Sequence, residues 1–261
     1  MSHASPVLCE TNARGIALVT LNRPAVRNAL DPYTLERLSA VIAALREDDA
    51  VRAVVLTGTG ETTFSAGAEI RFLSTAAPLD VRAFALQAVE VTTRIETLGK
   101  PVVAALNGDT LGGGLEIAEA CTFRVAVEGA RLGHPEVRIG AVAGFGGTTR
   151  LARLIGKGRA TELLLTGRTI DATEAVEIGL VHRAVPRVRL MDEVMSLLDE
   201  VLACSPDAVR LSWDALHRGQ DLSVAESAAL GADAFGLVAT TPAFRQGMRR
   251  FLQRSDRVVA G

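Results

Sequence analysis

Two glycine-rich segments and two glutamates hold most of the chemical potential of this sequence. The first segment is Phe64-Ser65-Ala66-Gly67-Ala68-Glu69-Ile70, and the second is Asn107-Gly108-Asp109-Thr110-Leu111-Gly112-Gly113-Gly114-Leu115-Glu116. Each follows a run that reads as a buried strand, and small residues let a ligand come close to the backbone. If each segment opens a helix, its first N–H groups are unpaired and point outward at the positive end of the helix dipole; two such donors can hold a developing oxyanion. The same glycines would also serve tight turns and close helix–strand packing. Glu116 lies among Leu115, Ile117 and Ala118, and Glu136 stands in His134-Pro135-Glu136 ahead of a glycine-dense stretch. Glutamates are ordinarily solvated. Two of them drawn into apolar surroundings acquire raised or split pKa values and can work as an acid and base pair.

Other chemistries are excluded by spacing. Gly58-Thr59-Gly60 has Thr63 where a dinucleotide fingerprint needs glycine, Gly156-Lys157 is followed by Gly158 rather than the Ser or Thr of a phosphate loop, and no Gly-x-Ser-x-Gly occurs. His3, His134, His182 and His217 are too scattered for a metal-binding pair, so no metal is expected. Cys9, Cys121 and Cys204 show no Cys-x-x-Cys spacing and read as buried small hydrophobes. With 28 Lys+Arg against 30 Asp+Glu, the net charge of -2 leaves no basic footprint for nucleic acid or a membrane surface. Uncharged runs such as residues 139–149 are too short for a spanning helix, and the N-terminus has no secretory pattern, so the cytoplasm is expected. Lys100 and Lys157 are the sole lysines, so an anionic ligand would be held largely by arginine.

The elements that would carry these groups alternate. Residues 15–21 read as a strand closed by Asn22-Arg23-Pro24, and Asp31 with Pro32 opens a helix whose apolar face is Leu35, Leu38, Ile42 and Leu45. Strands over 51–57, 101–106 and 123–127 and a helix over 79–98 follow, with residues 74–78 as a mobile loop. This alternation predicts an α/β fold with a largely parallel, doubly covered sheet. From about residue 159 the pattern becomes helical (159–165, 172–179, 191–204, 207–217, 225–238 and 243–254) with little strand signal, which predicts a helical appendage.

Taken in order, Asn22-Arg23-Pro24, Asn28-Ala29-Leu30, Ser65-Ala66-Gly67-Ala68-Glu69-Ile70, Lys100-Pro101-Val102, Asn107-Gly108, Gly112-Gly113-Gly114-Leu115-Glu116, Pro135-Glu136 and Gly144-Phe145-Gly146-Gly147-Thr148 resemble the crotonase (enoyl-CoA hydratase and isomerase) superfamily. Leu165-Thr166-Gly167, Ala172-Thr173-Glu174-Ala175, Gly179-Leu180-Val181 and Gly247-Met248 extend the likeness over nearly the whole chain. It implies a crotonase-like ββα-superhelix core over residues 1–195 that binds acyl-CoA, and a C-terminal helical oligomerisation region over 196–261. It also implies an enoyl-CoA hydratase needing no cofactor, since CoA is part of the substrate. Alternatives are an isomerase or thioester hydrolase on the same fold, or a non-catalytic acyl-CoA binding protein.

By the same resemblance, the N–H groups of Ala68 and Gly113 form the oxyanion hole. Glu116 orients and deprotonates water, Glu136 protonates the α-carbon, and Arg27, Ala66, Ile70 and Gly144 line the substrate. A homotrimer or dimer of trimers is implied, and the arginines of residues 245–254 are expected near the CoA phosphates. Glu69, Ala143 and Thr149 depart from the family pattern without touching either carboxylate.

Overall fold

Strands apolar on both faces can be buried on both faces, and here they pair mostly in parallel. The computed structural model describes residues 4–259, with side chains as far as residue 253, and the chain divides into two units at Leu198 and Asp199. In the first unit, β1 (Val7–Thr11) and β2 (Ile16–Leu21) form an antiparallel pair, followed by α1 (Pro32–Glu47). The Asp31 side chain accepts from Thr34 N at 2.7 Å, Pro32 takes the first turn, and Leu35, Leu38, Ile42 and Leu45 are buried, as the spacing predicted.

Three passes of strand, short strand and helix come next. They are β3 (Ala53–Gly58), β4 (Thr63–Ser65), α2 (Ile70–Leu73) and α3 (Pro78–Glu96); β5 (Val102–Leu106), β6 (Asp109–Leu111) and α4 (Gly113–Glu119); and β7 (Phe123–Val127), β8 (Arg131–Gly133), a 3₁₀ turn (Pro135–Ile139) and α5 (Gly147–Ile155). The unit continues with α6 (Lys157–Thr166), β9 (Thr169–Asp171), α7 (Ala172–Glu177), β10 (Arg183–Val185) and α8 (Leu190–Leu202), which runs across the division. The larger sheet is ordered β1-β2-β3-β5-β7-β10, parallel from β2 onward, and the smaller is β4-β6-β8-β9. Each pass thus crosses from one sheet to the other before its helix, which is the ββα superhelix.

Some expectations need correction. The single parallel sheet is two sheets. The region after residue 159 also contributes strands: β10 pairs in parallel with β7, and β9 antiparallel with β8. Three-residue strands are too short to display a period of two. Cys121 is buried, but Cys9, on edge strand β1 where every residue after Val7 is exposed, and Cys204, past the end of α8, are exposed. Residues 74–78 join α2 to α3 through a hydrogen-bonded turn, with Ser74 N donating to Ile70 O and Ala76 N to Phe72 O.

The second unit holds α9 (Pro206–Gly219), α10 (Val224–Val238) and α11 (Pro242–Val259). A Ser223–Glu226 capping box starts α10, none of whose residues is buried, and Phe235 and Leu237 stand exposed on it.

Candidate active site

The first backbone donor is set by a single parallel bridge. Leu30 N donates to Gly67 O at 2.8 Å and Glu69 N donates to Leu30 O at 2.8 Å, so the intervening Ala68 N–H points to the opposite side of the chain. Several groups hold that segment in place. Ser65 Oγ donates to Asn28 O at 2.8 Å, and Asn28 Nδ2 donates to Thr59 O and Thr63 O at 3.0 Å each. Arg23 pairs with both Glu69 (2.8 Å) and Asp31 (3.0 Å), so the unusual Glu69 ties the segment to the start of α1.

The second donor is Gly113 N, at the first position of α4, where intrahelical partners are lacking. The two donors are neighbours: a Cβ placed on Gly113 would stand 3.5 Å from Ala68 N, and one placed on Gly67 would stand 3.1 Å from Gly113 N. A side chain at position 113 would also meet the Phe145 ring at 2.5 Å, so glycine is required there. Phe72, Phe84 and Phe145 wall this space edge to face, with ring centroids 5.1 and 5.2 Å apart.

Glu116 is buried in the first turn of α4, and its Oε1 accepts from Phe145 N and Gly147 N, both at 2.7 Å. Among the described residues, its Oε2 has no hydrogen-bond partner. Burial drives its pKa up to about 7; the Gly147 N–H and the charge of His134 pull the other way, and Glu119 and Glu136 add to the rise. The Phe145 backbone is itself anchored, because Thr92 Oγ1 and Arg150 Nη1 donate to its carbonyl at 3.2 and 3.3 Å, while Arg150 pairs with Glu96 at 2.8 Å.

Glu136 enters from the 3₁₀ turn after β8. Its Oε1 lies 2.7 Å from the point a Cβ on Gly112 would occupy, where φ is +50, so the carboxyl covers the residue preceding the second donor. Two residues that the sequence reading left without a role join the carboxylates. His134 Nε2 is 2.8 Å from Glu119 Oε1, and His134 Nδ1 is 3.8 Å from Glu136 Oε1. Glu119 lies three residues after Glu116, on the same helix face, and that spacing was the available signal. At the far end of α4, the buried Arg124 guanidinium donates to the carbonyls of Cys121 (2.7 Å) and Leu180 (2.7 Å).

Of the other expected residues, Ala66 N donates to Arg27 O at 3.0 Å, which places both beside the Ala68 segment; Arg27 has a φ of +53 and an exposed side chain. Ile70 is exposed at the start of α2. Gly144 precedes Phe145, and a Cβ on it would meet the Ala85 methyl of α3 at 3.7 Å. Arg245, Arg249 and Arg250 are exposed on α11, while the Arg254 side chain lies outside the described residues. No three His, Cys, Asp or Glu side chains converge as a metal site among the described residues.

This geometry offers two neighbouring backbone donors to an anionic oxygen, with the buried Glu116 carboxyl in the first turn of the same helix and the Glu136 carboxyl against Gly112. The family profile described as Enoyl-CoA hydratase/isomerase matches residues 11–259. The chain is 41% identical over 239 residues to a short-chain-enoyl-CoA hydratase of Clostridium acetobutylicum, covering 92% of each protein. It is 40% identical to a crotonyl-CoA hydratase of Syntrophomonas wolfei, again over 92% of each. Among solved structures, an enoyl-CoA hydratase from Bacillus anthracis superposes with a TM-score of 0.91 at 34% identity, covering 95% of this chain and 96% of that one.

Proposed function

The chain belongs to the enoyl-CoA hydratase/isomerase family, and from that premise we propose how it works as an enoyl-CoA hydratase. It is a lyase that adds water across the 2,3 double bond of a trans-2-enoyl-CoA to give a 3-hydroxyacyl-CoA. The thioester carbonyl oxygen sits between the N–H groups of Ala68 and Gly113. As water attacks C3, the electrons of the double bond move toward that oxygen, and the two donors stabilise the resulting enolate. Glu116, with Oε1 already committed to Phe145 N and Gly147 N, uses Oε2 to orient the water and take its proton. Glu136, above Gly112, delivers a proton to C2 and completes the addition. The sum is water plus enoyl thioester giving hydroxyacyl thioester, with no change of oxidation state overall, so no redox cofactor is called for.

The observation that carries this reading is the meeting of the two carboxyls at one pair of converging backbone donors. Arg27, Ala66, Ile70 and Gly144 line the acyl-CoA. Short acyl chains suit the likeness to the Clostridium and Syntrophomonas hydratases. No described helix is long and apolar enough to cross a membrane, in keeping with a cytoplasmic place of action. The protein assembles as a trimer or a dimer of trimers, supported by the unburied apolar residues of α10. Following the enoyl-thioester absorbance band with crotonyl-CoA and longer enoyl-CoAs tests the reading. Loss of the band, fastest with short chains, is expected; a constant band at every chain length would overturn it.

A further inference from the structure

The reaction as described leaves Glu119 and His134 without a task, although their side chains are 0% and 1% exposed. A buried ion pair is poor evidence for stability, because well-packed apolar groups usually do as well in its place. The cluster they form with Glu136 is also incompletely bonded: among the described residues, Glu119 Oε2, His134 Nδ1 and Glu136 Oε2 are buried without a hydrogen-bond partner. Each member shares an element with one of the two carboxylates, Glu119 with Glu116 on α4 and His134 with Glu136 at the turn after β8. The imidazole lies between the two. Its Nδ1 is 3.8 Å from Glu136 Oε1, and one point, where a Cβ on Gly147 would stand, is 3.0 Å from His134 Cε1 and 2.9 Å from Glu116 Oε1.

We propose that Glu119 and His134 are positioning residues for both carboxylates: Glu119 keeps the imidazole cationic, and the imidazolium aims Glu136 across Gly112 while placing positive charge beside Glu116. The inference rests on the roles given to Glu116 and Glu136 above. The groups facing His134 are Glu116 and Glu119 from α4, Glu136 from its own turn and the Gly147 backbone from α5; Arg124 of β7 reaches the Glu119 carbonyl at 3.4 Å. Burial pushes the imidazole pKa down, but the charge and hydrogen bond of Glu119, with the charge of Glu136, outweigh it and raise the pKa to about 10. A cation at this point favours the ionised form of Glu116, the form that accepts a proton from water. Its loss therefore moves the acidic limb of the pH–rate profile, which belongs to Glu116, to higher pH.

Two measurements on the full-length protein test this. The first is NMR of isotope-labelled histidine, which reports charge state without reference to activity. His134 should stay cationic at mildly alkaline pH in the wild type, become neutral in Glu119→Gln, and be cationic again in Glu119→Asp. A neutral His134 in the wild type, or one indifferent to Glu119→Gln, overturns the inference. The second is the pH dependence of hydration. His134→Gln and Glu119→Gln should lower kcat by about 10-fold or more with KM little changed, His134→Gln should shift the acidic limb upward, and the double variant should be no worse than His134→Gln alone. Lower stability with the acidic limb at its wild-type position would mean a structural role only and would overturn the inference. If His134→Gln does not fold, the charge states and pH profiles of Glu119→Gln and Glu119→Asp decide the matter. Absence of hydration in the wild type would overturn the proposed function, whereas a neutral His134 in an active wild type would overturn this inference alone.

Discussion

Glu116 is pulled in two directions by its surroundings. Its pKa is raised from 4.5 to about 7, chiefly by burial, so its contribution to stability is fully present below pH 4.5 and is lost as pH rises through about 7. Catalysis needs the opposite, because only the ionised form accepts a proton from water. We therefore expect kcat/KM to fall as pH drops through about 7. Glu116→Gln should raise the melting temperature at alkaline pH while lowering kcat by ~10²-fold or more, since the amide oxygen still accepts from Phe145 N and Gly147 N but takes no proton. Glu136→Gln should cost kcat a similar factor with substrate binding retained. Calorimetry and stopped-assay kinetics check these outcomes; near-wild-type turnover in either variant contradicts its assigned role. Both glutamates could be read from the sequence because each sits beside glycine-rich chain. The Glu119–His134 pair could not: its partners are separated by fifteen positions and meet only because β7 and β8 lie between them.

At the scale of elements, the smaller sheet positions the chemistry. The β4 and β6 strands lead directly into the two donor segments, and β8 leads into the turn that carries Glu136. These strands are three residues long and overlap or border the glycine-rich runs, so no strand was expected there and the second sheet was not legible. The larger strands and α1 were legible because their apolar periodicity persists over several residues. Gly112 links the two scales. Its φ of +50 disfavours any side chain, and a Cβ there would lie 2.7 Å from Glu136 Oε1. Gly112→Ala should cost ~1–3 kcal/mol of stability through backbone strain and should also depress kcat by displacing the Glu136 carboxyl. Gly129→Ala is the control: φ is +80 there, but nothing among the described residues lies within 4 Å of the added carbon, so stability should fall while kcat holds. Equal kinetic effects in the two variants would separate Glu136 placement from Gly112.

At the scale of the molecule, the α9–α11 unit leaves Phe235, Leu237, Phe251 and Leu252 exposed, consistent with the proposed assembly. Light scattering should report a trimer or hexamer at micromolar concentration, and a monomer would exclude it. Exposed Arg245, Arg249 and Arg250 suit CoA phosphates, since planar guanidinium groups match phosphate oxygens and the chain has little lysine to offer. Their replacement by alanine should raise KM for enoyl-CoA more than for an enoyl-pantetheine, and equal effects would leave them as a solvated helix face. The central claim is that this chain adds water to an enoyl thioester. Mass spectrometry of the products formed from crotonyl-CoA in heavy-oxygen water tests it most directly. The prediction is an intact 3-hydroxybutyryl-CoA carrying one labelled oxygen on the acyl chain, formed at least ~10²-fold more slowly by Glu116→Gln or Glu136→Gln. An unlabelled thioester of unchanged mass, or free CoA with labelled acid, would contradict it.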